Sequence, residues 1–287
     1  MAAMKVILLS LLLLILPGQD GLKVNFHEQD NSCKEITEIS GRDGVFINPV
    51  LLCEDTRLGK FYFSKLKTTV CNDTLCRVAS LKVYWDLAGN YIRFDTVSGN
   101  PLTKNDHLDF NTKDYKKLQT TLKDPNSILG EKSKDELLDP IKTRYSNKID
   151  AVSGATAQEI KSAVVDGALY TTYTLWHLVN GGITFKLRNY TKENFDDSLQ
   201  KQILRSNNPR TVLFGLKMMD DEDYLLNADL IFYIMASGNP LVNFYISKQL
   251  PKRFFSSEQN IKKFETLFPD LDKNSQAILY KRMGTVP

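Results

Sequence analysis

The sequence predicts an α+β domain followed by an all-helical module, and three features carry that prediction. Residues 78–85 (VASLKVYW) are rich in β-branched and aromatic side chains, and residues 91–94 (YIRF) return after a Gly-Asn corner. That is the pattern of an antiparallel hairpin. Residues 157–179 place Ile160, Val164, Ala168, Thr171, Leu175 and Leu178 at helical spacing, and Gly181-Gly182 ends the run. These side chains fall on one buried face of a long helix. From Lys192 onward no alternating strand pattern occurs, only helical segments with short breaks. Strands first and helices last is the order of an α+β domain.

The elements follow from the N-terminus. Residues 1–18 read as a signal peptide: Lys5 supplies a positive start, and VILLSLLLLILP is an apolar stretch of 12 residues. A bilayer needs about 20. Cleavage after Gly18 fits, no cysteine follows for a lipid anchor, and an uncleaved anchor is the competing reading. The mature chain is expected outside the cytoplasm, periplasmic or extracellular, with peripheral contact to a membrane left open. Residues 19–70 form a cysteine-containing segment with turn signals at residues 41–44 and at Asn48-Pro49. Cys33, Cys53, Cys71 and Cys76 are the only cysteines, and an even count in an oxidising compartment predicts two disulfides with three connectivities. Cys71 and Cys76 close the shortest loop, which leaves Cys33 to Cys53 by elimination. Thiol–disulfide or metal chemistry at Cys71 and Cys76 is the sharper rival, but their spacing is wider than C-x-x-C.

Residues 71–185 form the second region. After the hairpin, residues 96–101 (TVSGNP) make a turn, Asn111 starts a helix running to Leu122, and Asp124-Pro125 breaks it. A short turn at residues 135–138 precedes Pro140. The third region, residues 186–287, repeats itself. Ser206-Asn-Asn-Pro209 and Ser237-Gly-Asn-Pro240 each open an apolar helix, with their prolines 31 residues apart, and Asp272-Lys-Asn-Ser275 opens a looser third copy. That period suggests stacked helical pairs of the HEAT type, a module whose faces can bind a partner. Chance similarity of capping signals is the plain alternative. Composition excludes other classes: 42% apolar and 25% charged residues exclude a disordered chain, and a net charge of +3 without a basic run excludes nucleic acid as a partner.

One stretch stands apart. Residues 150–159 (DAVSGATAQE) set Ser153, Gly154, Ala155 and Thr156 at the expected entry of the long helix. A helix N-terminus leaves N–H groups unpaired, carries partial positive charge and holds phosphate well. Side chains this small would let a phosphate approach the backbone, and Ser153 and Thr156 add hydroxyls. Ordinary capping explains the same residues without any ligand.

The stretch also resembles the flavinylation motif of the FMN-binding domain family, found in subunits of the sodium-pumping quinone reductase and of the related Rnf electron-transport complex. Asp150, Ser153, Gly154, Ala155 and Thr156 meet every fixed position of its pattern: Asp, two variable residues, Ser or Thr, Gly, Ala, then Thr or Ser. The resemblance implies FMN joined by a phosphoester to Thr156 and installed from FAD by a magnesium-dependent flavin transferase. It also implies an unidentified redox partner protein, and an electron-transfer flavoprotein or subunit more than a free-standing enzyme. Residues 81–94 resemble the family's hairpin, and Asp95-Thr96-Val-Ser-Gly99 echoes its Glu-Thr-Pro-Gly segment, so the similarity extends over residues 75–182. Two departures stand out: Ala157-Gln158 replace the hydroxyl that usually follows the motif, and the helical tail lies outside the family pattern. A flavin-free interaction module that docks a partner through the helical repeats is the alternative.

Other residues carry less. His177 beside Trp176 could touch a flavin ring, but packing and a cation at a helix C-terminus explain it as well. His27 and His107 are isolated. Tyr84, Trp85, Tyr91, Tyr170 and Tyr173 are aromatics that could stack on flavin, although such residues usually build cores.

Overall fold

In the computed structural model, residues 32–42, 44–70, 77–104, 107–138 and 157–284 are described. Residues 1–18, read from sequence as a signal peptide, Cys71, Cys76 and the whole of residues 150–156 lie outside them.

Five strands form one antiparallel meander in the order β1-β2-β3-β4-β5. They are β1 (Ser32–Ser40), β2 (Ile47–Asp55), β3 (Gly59–Thr68), β4 (Ala79–Trp85) and β5 (Tyr91–Thr96). The β4–β5 hairpin is the one expected from the sequence. Its turn closes on Asp86, whose carboxylate accepts from the Ala88 and Asn90 N–H groups at 2.9 and 2.8 Å. Gly89 sits in that turn at φ 71°, and a Cβ there would lie 2.8 Å from the Thr184 carbonyl oxygen, so glycine is required twice over.

Strands β1, β2 and β3 were not legible in residues 19–70, and they place the boundary drawn at residue 70 between two neighbours of one sheet. Gly41 and Gly44 do lie in the connection between β1 and β2, where the Gly41 N–H donates to Phe46 O at 2.6 Å and the Gly44 N–H to Gly41 O at 3.0 Å. Asn48-Pro49, however, lies within β2. The buried Asn48 side chain takes the Lys67 N–H at 2.7 Å and gives its amide to Ile39 O and Lys67 O, both at 3.1 Å. A residue that reads as a turn former is here a bridge between the strands on either side. Cys33 and Cys53 are paired directly across β1 and β2 and joined by a disulfide, with Cα atoms 4.1 Å apart.

Tyr62, Leu66, Leu81, Val83 and Trp85 project from one face of the sheet into a core shared with the first helices. Those are α1 (Thr112–Lys123), α2 (Leu169–Asn180) and α3 (Gly182–Glu193). Asn111 caps α1 in a reciprocal box with Asp114, as its position predicts. Trp85 donates its indole N–H to Val179 O at 2.9 Å and ties the sheet to the end of α2.

The long helix expected over residues 157–179 is shorter. Residues 157–168 are turns with one 3-10 turn at Lys161–Ala163, and α2 begins only at Leu169. Gly167 interrupts the pattern at φ 71°. Side chains of α1 satisfy the carbonyls that a continuous helix would have used: Thr121 donates to Ala163 O at 3.1 Å, and Lys117 to Ser162 O. Ile160, Val164, Ala168, Thr171 and Leu175 are nevertheless all buried. The apolar spacing located the core positions but not the backbone that presents them.

Beyond α3 the described chain is helical: α4 (Asp197–Leu204), α5 (Pro209–Leu216), α6 (Asp221–Leu226), α7 (Ala228–Ala236), α8 (Pro240–Gln249), α9 (Glu258–Leu267) and α10 (Lys273–Met283). All three repeated cap signals open helices, with Asn208, Asn239 and Asp272 as side-chain N-caps and proline leading α5 and α8. Helix α8 packs against α5, α7 and α10, and α7 also packs against α9. The apolar interior divides inside α4: Leu199 and Ile203 join the sheet's core, while Leu204 starts the second. The boundary drawn at residue 185 falls inside α3, whose buried Ile183 and Leu187 both belong to the sheet-side core.

Candidate functional site

The site residues read from sequence, Asp150, Ser153, Gly154, Ala155 and Thr156, lie outside the described residues, and so do Cys71 and Cys76. What is described is the frame from which that segment leaves and to which it returns. The Ala157 N–H donates to the Leu137 carbonyl at 3.1 Å, so the two ends are held together. Leu137 belongs to a 3-10 turn, Lys134–Leu137, braced by a Ser133–Glu136 capping box. Leu137 and Ile160 are fully buried beneath the junction. Glu159 pairs with Lys132 at 2.7 Å, a second link between the strands of this neck.

One face of α2 borders the neck. Tyr170, Tyr173 and His177, three and four residues apart, share that face and are half-buried. The Tyr173 hydroxyl donates to Lys132 O at 3.0 Å, and the Lys134 ammonium stands 5.3 Å above the Tyr170 ring. The Tyr173 and His177 rings lie 4.3 Å apart, and His177 Nε2 is 2.9 Å from Leu129 O. A carbonyl can only accept, so that nitrogen carries the proton. Burial holds the His177 pKa below its usual value, partly offset by the Leu129 bond. His177 is therefore neutral near pH 7, and the helix-end cation expected from sequence is replaced by a neutral donor. Burial also raises the phenol pKa of Tyr170 and of Tyr173, with the Arg42 charge opposing both. The bond to Glu159 raises the Lys132 pKa.

The remaining aromatics are committed elsewhere. Trp85 is fully buried with its N–H on Val179, and Tyr91 is buried with its hydroxyl on Gln119 at 2.6 Å. Tyr84 packs against Phe61 and Phe63 with the Arg93 guanidinium 4.5 Å above its ring. Trp176 donates to Asp124 O at 2.9 Å and packs on the Gly130 backbone, where a Cβ would come within 2.6 Å of its ring. His107 is exposed at φ 61° in a surface turn, and His27 lies outside the described residues.

Sequence reading did not single out Lys132, Lys134 or Glu159. Their roles depend on neighbours 27 to 41 residues away, and no local pattern announces such pairs. Comparison of the chain with protein-family models, curated proteins and solved structures returns no match. Among the described residues no helix is long and apolar enough to cross a membrane, and no group of three or more His, Cys, Asp or Glu is arranged to hold a metal ion.

Proposed function

We propose that this protein is an exported carrier of covalent FMN, attached through its phosphate to Thr156, and that it relays electrons outside the cytoplasmic membrane. The observation that carries the reading is the run from Asp150 to Thr156, which meets each fixed position of the flavinylation motif. The donor set suits the group: Thr156 offers the hydroxyl, and Ser153, Gly154 and Ala155 leave room for a phosphate. With residues 157–168 free of α-helix, support from a helix dipole directly behind Thr156 falls away. Attachment then rests on the hydroxyl and the small neighbours. The Leu137–Ala157 bond supports the reading by fixing the point where the motif rejoins the fold. A Cys33–Cys53 disulfide fits an oxidising compartment and so supports export.

In maturation, the Thr156 hydroxyl would displace AMP from the FMN phosphorus of FAD, so the chain gains one FMN less water. When bound, the flavin supplies the electron chemistry, while the protein supplies attachment, burial and orientation. Denaturing the protein after coexpression with a flavin transferase should leave yellow fluorescence on the polypeptide, and Thr156→Ala should abolish it. An equally yellow Thr156→Ala protein sinks the proposal.

A second reading, a flavin-free interaction module, is favoured by the regularity of the tail. The caps at Asn208, Asn239 and Asp272 recur at 31 and 33 residues, and those at Asp196, Asn227 and Ser257 at 31 and 30. Each pair of caps starts two helices, which supports a stack of repeated helical pairs. Leu226, Tyr233 and Leu241 stand exposed on it. Absence of the FMN mass increment in the presence of a transferase favours this reading over the first.

A further inference from the structure

We infer that the groove between α7 and α9 is where two copies of this chain meet, each presenting the same face across a two-fold axis. This contact belongs to the helical module and stands apart from FMN attachment. The groove holds about 460 Å³, and its floor is apolar, with Phe232 and Ala236 on α7 and Leu267 on α9. The Phe232 ring packs against Phe264 and Phe254 at centroid distances of 4.8 and 5.6 Å, so the floor is preformed. Lys263 bridges the two helices, its ammonium 5.4 Å from the Phe232 ring centre and paired with Asp229. Tyr233, 69% exposed and three residues from Ala236, extends the apolar surface along α7.

The charges on the rim select the occupant. Lys262, Thr266 and Asp270 all line the groove, four residues apart on one face. Asp270 ends the 3-10 turn Phe268–Asp270 that continues α9, and both it and Lys262 are exposed. A cation and an anion therefore flank Thr266, each about 6 Å along the helix from it. A two-fold axis through Thr266 reverses that order in the second copy, so Lys262 of each chain faces Asp270 of the other. The pattern is its own complement, whereas a partner helix of single charge would meet repulsion at one end. Existing bonds stay in place. The Lys262 ammonium binds Glu258 at 2.9 Å with both side chains exposed, and its three donors can take a second carboxylate. The Thr266 hydroxyl already donates to Lys262 O at 3.1 Å, so covering it strands no donor. Thr266 and Ala236 are small, which lets the second α9 approach closely.

Sedimentation velocity of the full-length protein, purified after export, should show a dimer that grows with concentration. Lys262→Asp leaves only acids in the paired positions and Asp270→Lys only bases, so each variant alone should dissociate about tenfold more readily or worse. An equimolar mixture of the two variants should dimerise again, because the acidic face of one then meets the basic face of the other. That restoration separates a lost contact from a lost fold, since a misfolded variant gains nothing from its opposite. A wild type that stays monomeric at its highest soluble concentration overturns the inference and leaves the groove to a different partner. A dimer that neither reversal weakens, or a mixture that stays monomeric, overturns it as well.

Discussion

Thr191 shows how much one side chain can hold. It lies in α3, fully buried, and its hydroxyl donates to Leu87 O at 2.6 Å while receiving the Tyr62 hydroxyl at 2.6 Å. The chain of bonds joins β3, the β4–β5 turn and α3. Thr191→Val keeps the volume but leaves the Leu87 carbonyl without this donor and the Tyr62 hydroxyl with only the longer bond to Leu187 O at 3.4 Å, which should cost about 1–3 kcal/mol in urea unfolding. Burial pushes the Tyr62 phenol up to about 12 from 10.0, and the Tyr91 phenol is raised as well. A raised phenol pKa means the folded state holds the proton more tightly than the unfolded chain. Stability is then whole below pH 10 and is lost as pH climbs from 10 towards about 12. The urea midpoint should be level near neutral pH and decline above 10, and a midpoint still level at pH 12 contradicts this account. None of these bonds was legible in sequence, because Tyr62 and Thr191 are 129 residues apart.

Among the elements, the contact of α4 with α5 depends on Gly215. A Cβ there would lie 2.6 Å from Ile203 Cγ2 and 3.2 Å from Leu204 Cδ2, and both those residues are fully buried. Isoleucine is branched at Cβ and has little room to turn aside. Gly215→Ala is expected to destabilise by about 1–3 kcal/mol despite the higher helix propensity of alanine. Gly182→Ala is the control: nothing lies within 4 Å of its Cβ position in α3, so propensity alone should act and stability should hold or rise. Thermal melts of the two variants moving in the same direction would contradict the packing argument. The caps of α1, α5, α8 and α10 were readable because capping is local chemistry. The start of α2 was not, because Thr121 and Lys117 of α1 reward a non-helical path at residues 157–168.

At the scale of the molecule, a few polar contacts couple the sheet to the helical module. Asp86, at the β4–β5 turn, accepts from Thr211 Oγ1 and, at 3.4 Å, from Asn208 Nδ2, the two residues at the start of α5. The Gln202 side chain pairs with the backbone of Lys60 at both N–H and C=O, at 2.9 and 2.7 Å, as a neighbouring strand would. The two tryptophans, Trp85 and Trp176, both lie in the sheet-side core. Tryptophan fluorescence therefore reports one core, while far-ultraviolet dichroism is dominated by helices of both. The two signals should coincide in urea for the wild type and separate for Asp86→Ala with the dichroism midpoint lower. Coincident, unshifted curves for Asp86→Ala would show that the junction contributes nothing to cooperativity.

The sequence by itself determined the features whose physics is local. Cap residues placed helix starts, β-branched and aromatic runs placed the β4–β5 hairpin, apolar spacing named Ile160 and Val164 as core, and the Asp150–Thr156 motif suggested a ligand. Tertiary structure decided the rest. Strands β1 and β2 carry mixed polar patterns because Asn48 and the Cys33–Cys53 bond join them to neighbours across the sheet. Residues 157–168 gave up a helix because partners on α1 satisfied their carbonyls. Tyr170 and Tyr173 became distinct from Trp85 and Tyr91 only when the fold left them half-buried beside the neck. In each case the deciding partner is distant along the chain, and a sequence pattern records only the neighbours within a turn or a strand.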